Sequence, residues 1–339
     1  MTESEKPTIA TVCSHTSLQI FDGARKEGFK TLGICLGKPP RFYDAFPRAK
    51  PDEFFSVNSY QEIIEKTPEL IEKNVIIIPH GSFVEYLGAS DFARLKVPSF
   101  GNKKVLEWES DRTKEREWLT SAGVPVPAEY SSPADVSSPV IVKYHGAKGG
   151  RGFFIANNQQ EIEDRLDTSE EYTIQEFVLG TRYYLHFFYS PLRTDGYRVG
   201  DGVLELLGID RRIESNIDEL YKIGASSGID PSFVVTGNLP MVLRESLLPK
   251  VFELGEKVVE RSIELFGGMT GPFCLETICT DTLEFKVFEI SARIVAGTNL
   301  FVSGSPYSDL IEPDLSTGKR IAQEIKLAME IGRLDAVVS

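Results

Sequence analysis

The chain has 339 residues, 41% hydrophobic and 26% charged, with 37 basic against 50 acidic side chains and a net charge of -13. That length accommodates two or three packed units, and the composition is ordinary for a globular protein that is soluble. The acidic balance argues against a duplex nucleic-acid binder, which needs a basic face, and leaves room for a local pocket that takes a small anion.

The opening stretch MTESEKPTIATV is polar and has no leader pattern. The longest strongly apolar runs, such as Val75–Ile78, fall far short of the ~20 residues that span a bilayer. Cys13, Cys35, Cys274 and Cys279 form no CxxC pair and read as small buried hydrophobes of a reducing compartment, so the expected location is cytoplasmic and away from membranes.

In chain order, TIATVCS (8–14) reads as a buried strand and SLQIFDGARKEG as a helix closed by Gly28. KTLGICL (30–36), EFFSV (53–57) and NVIIIP (74–79) are further strands, separated by the helical stretch YQEIIEKTPELIEK, which Pro68 interrupts. Strands alternating with helices imply a parallel sheet, whose ligands collect at the strand carboxyl ends. The polar loops SHTS (14–17) and HGSF (80–83) lie there. A helix is expected over 109–122 with Gly123 as its stop, then a Pro/Ser-rich connector over 124–139. The segments VIVKY, GFFIA, YTIQEFV and RYYLHFFYS read as short strands by alternation and aromatic content. An amphipathic helix follows over 246–266, a hairpin over 272–290 and a closing helix over 318–331. The fold class is α/β in front and α+β behind.

The loop GAKGGRG (146–152) joins two strands, so it is neither a P-loop nor a dinucleotide fingerprint, each of which opens a helix. Its glycines leave backbone N–H groups free to meet polyphosphate, with Lys148 and Arg151 beside them. Lys143, inside the preceding strand, needs a ligand or a carboxylate to face. In the hairpin, a tight turn about Asp281–Thr282 sets Glu276 opposite Val287 and makes Glu289 its diagonal neighbour, about 7–8 Å away at the backbone. Two carboxylates that close either share Mg²⁺ or repel until one takes up a proton. Arg293 follows within reach of a phosphate or of the same carboxylates.

A strand lysine, a glycine-rich hairpin, a strand ending QEFV and two hairpin glutamates occur in the order of the ATP-grasp fold. That resemblance implies ATP contacts from Lys114, Lys143, Lys148, Gly149 and Gly150, and an adenine hinge at Glu176, Phe177 and Val178. It further implies a ribose contact at Glu205 and Mg²⁺, with Mn²⁺ as its alternative, on Glu276 and Glu289.

SHTSLQIFDGARKEGF, HGSFVEYLG, WESDR, IVKYHGAKGGRG, LLGIDRRIESNID, VTGNLPMVLRESLLP and ISARIVAGTN together resemble the archaeal formate-dependent 5-formaminoimidazole-4-carboxamide ribonucleotide (FAICAR) synthetases. That likeness implies ATP- and formate-dependent formylation of the aminoimidazole carboxamide ribonucleotide, AICAR, through formyl phosphate, in a homo-oligomer. It makes His15, Ser82 and Asn238 contacts to AICAR, and His15 and Arg293 the catalytic candidates. By the residues alone, His15 reads as an orienting group, Ser82 equally as an N-cap for FVEYLG, and Asn238 as a turn residue. The same residues leave open whether Arg211 and Arg212 hold phosphate or pair with Glu214 and Asp210. Another ATP-grasp ligase, joining a different small acid and amine, or a nucleotide-binding paralogue without turnover, would share the phosphate machinery. The expected organisation is an N-terminal α/β domain over 1–105 on the substrate side, a small ATP-grasp subdomain over 106–190 and a large one over 191–339.

Overall fold

The computed structural model describes residues 6–14, 16–144, 152–217, 232–295 and 301–339. The front of the chain forms the expected parallel sheet, in the order β3-β2-β1-β4. Its strands are β1 (Thr8–Val12), β2 (Thr31–Leu36), β3 (Glu53–Val57) and β4 (Val75–Ile77). These are near-continuous apolar runs because helices cover both faces of such a sheet. Helix α1 (Ser17–Lys26) links β1 to β2 and ends before Gly28, whose φ of 77° only glycine adopts easily. Short helices α2 (Glu62–Glu65), α3 (Thr67–Glu72) and α4 (Ala89–Arg94) complete the unit. The stretch after His80 is a single π-helical turn, Phe83–Leu87, rather than a conventional helix start.

The expected single helix over 109–122 is two, α5 (Lys104–Ser110) and α6 (Arg112–Ser121). Asp111 between them is extended, and its carboxylate accepts from the N–H groups of Thr113 and Lys114, which starts a new helix there. The connector contributes β5 (Glu129–Tyr130), which joins β6 (Val140–Tyr144), β7 (Phe153–Ala156) and β8 (Tyr172–Glu176) in a small antiparallel sheet, β5-β8-β6-β7. An unanticipated helix, α7 (Gln159–Arg165), is capped by Asn158.

The large sheet is antiparallel, β10-β11-β9-β13-β14, with β12 also on β11. Its strands are β9 (Thr181–Ser190), β10 (Tyr197–Val199), β11 (Gly202–Asn216), β12 (Phe233–Pro240), β13 (Gly271–Cys279) and β14 (Phe285–Ser291). Because β9 pairs with β11 and β13, a boundary at 190 falls on the wrong side of it; the sheets part between Glu176 and Thr181. One face of the sheet, with Leu185, Phe187, Phe273 and Leu275, packs on α8 (Leu248–Phe266). Gly255 of that helix lies so close that an added Cβ would meet Leu204 at 2.9 Å and Phe187 at 3.1 Å. The opposite face carries Tyr184, His186, Asp210, Arg212 and Glu276, and it is this polar face that forms the site.

Helix α9 (Thr317–Glu330) ties the front of the chain to the back. Its Gly318 N–H donates to Gln19 Oε1 at 3.0 Å, and further along Lys326 reaches Glu27 at 3.1 Å. The two helices therefore run in the same sense and bring their N-termini to one end. A parallel bridge between His80 and Ile294 sets the carboxyl end of the first sheet beside the end of β14.

Candidate active site

Glu276 stands directly opposite Glu289, with Thr277 opposite Val287 and Cys279 opposite Phe285. The expected diagonal was wrong by two steps. Thr280 N–H donates to Glu284 O, so the turn holds three residues and not two, with Leu283 in the left-handed region at φ 63°. The register then shifts once more at Glu276/Thr277, where Phe288 is the extra residue of a β-bulge. Directly opposed residues share a face, so the bulge brings both carboxylates to the polar side.

Around this rung the chain supplies cations and further acids. Arg212 on β11 donates to both Glu276 oxygens, at 3.0 and 3.3 Å, and stacks on Tyr184, 3.9 Å from its ring centre. Arg112, the first residue of α6, lies 3.6 Å from Glu289 and 3.4 Å from Glu115. Glu115 accepts the Ile290 N–H at 2.8 Å, and Glu109 accepts the Ala292 N–H at 2.8 Å while pairing with Arg293 at 2.8 Å. Two acids of α5 and α6 thus pin the end of β14. Lys143 donates to Gln175 at 2.8 Å and faces the same cluster; burial holds its pKa below the usual lysine range, against the opposing pull of Glu289.

Burial, opposed by Arg212 and reinforced by Glu289, pushes the Glu276 carboxyl up to about 7. Burial and then Glu289 raise Glu115 well above the carboxylate range, and burial raises Glu109 despite Arg293. Burial is the main cause of each rise, and a bound cation would offset it by favouring the charged carboxylates. Among the described residues no group of three or more His, Cys, Asp or Glu is arranged for a metal, so Glu276 and Glu289 face one another as a pair of carboxylates only. Hard oxygen donors from two carboxylates fit Mg²⁺, which takes its remaining ligands from phosphate and water. The buried Nε–H groups of Arg212 and Arg293 have no hydrogen-bond partner among the described residues, and they suit an anion.

The other expected residues divide. His15, Lys148, Gly149 and Gly150 lie outside the described residues. Glu176 caps the small sheet, accepting the Ala128 N–H at 3.0 Å and Lys286 at 2.5 and 2.6 Å, while the Phe177 N–H is bound to Pro139 O. Val178 is buried beside them. Lys114 pairs with Glu107 and contacts neither glutamate of the rung. Glu205, expected at a ribose, instead joins a buried network with Arg320 at 2.7 Å and Arg193 at 2.9 Å. Its strand partner Phe188 is four residues along β9 from Tyr184, about 13 Å from the carboxylate rung. Arg212 pairs with Glu276, while Asp210 holds His186 and Glu214 holds Arg182.

The SHTS and HGSF loops do meet. Ser14 Oγ and Ser82 Oγ are 2.6 Å apart, and Ser82 N–H donates to His80 Nδ1 at 3.2 Å. Ser82 is helical in its backbone and makes no side-chain cap, so the N-cap reading is not realised. Asn238 is a strand residue of β12, opposite Arg212, and not a turn residue. It stands on the polar face next to the arginine that holds Glu276.

Two family models match the chain. One is described as a domain of unknown function, DUF1297, over residues 156–339, and the other as a protein of unknown function, DUF1246, over 9–130. Curated relatives named 5-formaminoimidazole-4-carboxamide-1-(beta)-D-ribofuranosyl 5'-monophosphate synthetase match nearly end to end. That of Methanothrix thermoacetophila is 67% identical over 98% of this chain and 95% of its own. That of Methanococcoides burtonii is 65% identical over 98% and 94%. The chain belongs to this synthetase family. The crystal structure of an IMP biosynthesis protein PurP from Thermococcus kodakaraensis superposes with a TM-score of 0.78 at 32% identity, over 98% of this chain and 100% of that one. An ADP complex of N5-carboxyaminoimidazole ribonucleotide synthetase, 15% identical with a TM-score of 0.62 over 91% of this chain and 76% of that one, shares the ATP-grasp fold.

Within the synthetase family frame, the residues that sequence reasoning passed over are Glu109, Arg112 and Glu115. Two of them sit in the motif WESDR, whose charge density just ahead of a helix was the available signal.

Proposed function

We propose that the chain is an ATP-dependent carbon–nitrogen ligase that formylates AICAR with formate, giving FAICAR, ADP and phosphate. The observation that carries this reading is the carboxylate rung of Glu276 and Glu289, ringed by Arg112, Lys143, Arg212 and Arg293, in a chain that matches FAICAR synthetases over nearly its whole length.

Formate is a poor acyl donor because its carboxylate carbon is shielded by delocalised charge. Transfer of the ATP γ-phosphoryl group to a formate oxygen gives formyl phosphate, whose carbon the AICAR amine attacks as phosphate leaves. Lys143, Arg112 and Arg293 stabilise the charge on the transferring phosphoryl group. Glu276 and Glu289 would hold Mg²⁺, or Mn²⁺ in its place, which supplies charge neutralisation between the phosphates. The hinge of Glu176, Phe177 and Val178 would take the adenine, and the glycine-rich loop with Lys148, Gly149 and Gly150 the phosphates. The adjoining Ser14 and Ser82 hydroxyls, with His15, suit the AICAR phosphate, and Asn238 suits its base or ribose. The family likeness supports a homo-oligomer, and a metabolic ligase without a membrane-crossing helix among its described residues is suited to the cytoplasm.

The test is incubation with ATP, Mg²⁺, formate and AICAR, following phosphate and FAICAR together. One FAICAR per phosphate, both lost when formate or AICAR is left out, is the expected result. ATP turnover indifferent to AICAR, or dependent on another acid, would point to a sister ligase and end this reading.

A further inference from the structure

His186 lies on the polar face of β9, two residues beyond Tyr184, and so one rung from the Glu276–Glu289 pair. Its own rung is Gly208, His186, Cys274 and Ser291. The imidazole Nε2 is 2.7 Å from Asp210 Oδ2, and both side chains are buried, at 4% and 1% exposure. A carboxylate at that distance accepts from Nε2–H, which leaves Nδ1 as the ring nitrogen turned away from Asp210. Nδ1 is buried and has no hydrogen-bond partner among the described residues. A core histidine with one nitrogen satisfied and the other bare is costly unless something else fills the gap.

The gap is a small cavity of about 10 Å³, room for one water-sized group such as an amine, lined by His186, Asp210, Gly208, Ser305, Ser308 and Thr317. Gly208, opposite His186, has no side chain to fill it. Of the hydroxyls that line it, Ser305 donates to Leu207 O at 2.5 Å and Ser308 to Ser305 O at 3.5 Å. Alternate residues of a strand repeat about every 6.6 Å on one face. The rung of His186 therefore lies one such repeat, about 6.6 Å along the backbone, from the rung proposed for phosphoryl transfer.

We propose that His186 is the proton acceptor of the formyl-transfer step, with Asp210 its positioning residue. The proposal rests on the formylation reading above. The AICAR amine lies in the cavity, hydrogen-bonded to Nδ1. Its nitrogen lone pair forms the new bond to the formyl carbon, and the carbon–oxygen bond to phosphate breaks with its electron pair leaving on the phosphate oxygen. The nitrogen's proton passes to Nδ1, and the Asp210 carboxylate stabilises the imidazolium through the Nε2–H bond. The proton then leaves with phosphate, which restores the neutral ring.

Hydroxylamine separates this step from the one before it, because it is nucleophilic enough to trap formyl phosphate as formohydroxamate without a base. His186→Gln and Asp210→Asn should lower the rate of FAICAR formation about 10²- to 10⁴-fold. Both should keep AICAR affinity within a few-fold and make formohydroxamate from ATP, formate and hydroxylamine at near the parent rate, which also reports that they are folded. FAICAR formation at near the parent rate in both variants overturns the proposal. So does loss of FAICAR and formohydroxamate in equal measure by a variant whose melting curve matches the parent's. A parent that makes formohydroxamate but never FAICAR overturns the formylation reading itself.

Discussion

Glu276 and Glu289 share a rung because β14 carries one residue, Phe288, that β13 does not match. Were the same sequence paired as a regular ladder from Thr277 and Val287 onward, Glu276 would oppose Phe288 and Glu289 would turn toward the core with Val287. The bulge is thus a functional feature of the hairpin and not an irregularity.

Glu289→Gln keeps the shape of the rung and removes one negative charge. Turnover should fall by ~2–4 kcal/mol of transition-state stabilisation, the usual loss for one electrostatic stabiliser, while AICAR binding by calorimetry stays near the parent value. Near-parent rates at saturating Mg²⁺ would remove Glu289 from the metal's donor set.

The Glu276 carboxyl, pushed from 4.5 to about 7 mainly by burial, predicts opposite pH trends with and without ligand. An acid whose folded pKa exceeds its unfolded one binds more protons when folded, so its contribution to stability is present below about pH 4.5 and is lost as pH rises to about 7. A cation competes with that proton, so protection by MgATP should grow across the same window. Urea midpoints between pH 5 and 8 measure both trends. Glu276→Gln should flatten each, and profiles parallel to the parent's would show that another group titrates.

Lys143 is held by Gln175 and faces Glu289 from the small sheet. Lys143→Ala should lower kcat/KM for ATP by about 10²- to 10³-fold and leave the AICAR dissociation constant nearly unchanged. Equal losses for the two ligands would mean that the small sheet does not serve the nucleotide alone.

The first sheet was legible because its strands are unbroken apolar runs, and the helices α8 and α9 because their apolar faces repeat at helical spacing. The polar face of the large sheet was harder to read. Arg212, Asp210 and His186 interrupt the alternation expected of a buried strand, since they are paired inside the protein, His186 with Asp210 and Arg212 with Glu276. Nor does composition reveal a bulge: Phe288 is a good strand residue, and the shift of register belongs to the pairing rather than to the residue. Glu205 misled for a related reason, because a buried acid in a strand looks the same whether its cation is a ligand or Arg320.

The contact between the front and back of the chain runs through two glycines. A Cβ on Gly318 would stand 2.1 Å from Gln19 O, and one on Gly23 would stand 2.2 Å from Lys319 N. Both obstacles are backbone, so the helices must separate. Gly318→Ala should cost ~1–3 kcal/mol or more, the range for overpacking, despite alanine's better helix propensity. An unchanged urea midpoint would show that the two helices part at little cost.

The last prediction concerns the ribonucleotide. Its phosphate carries about two negative charges and must bind a protein of net charge -13, so its site has to be locally favourable against the overall field. The loops that end β1 and β4 are joined by the 2.6 Å contact between the Ser14 and Ser82 hydroxyls, at the end of the sheet where α1 begins. A phosphate there gains hydroxyl and backbone donors without any change in the ATP side of the site. Ser82→Ala and His15→Ala should therefore each raise the AICAR KM or lower kcat/KM for AICAR and leave the ATP KM nearly unchanged. A neutral hydrogen bond is worth ~0.5–1.5 kcal/mol and one to a charged group ~1.5–3 kcal/mol, so a 10- to 100-fold loss identifies a charged partner. Variants that both bind AICAR like the parent would move the phosphate away from the front sheet, while the assignment of the ATP side to Glu276, Glu289 and Lys143 would stand.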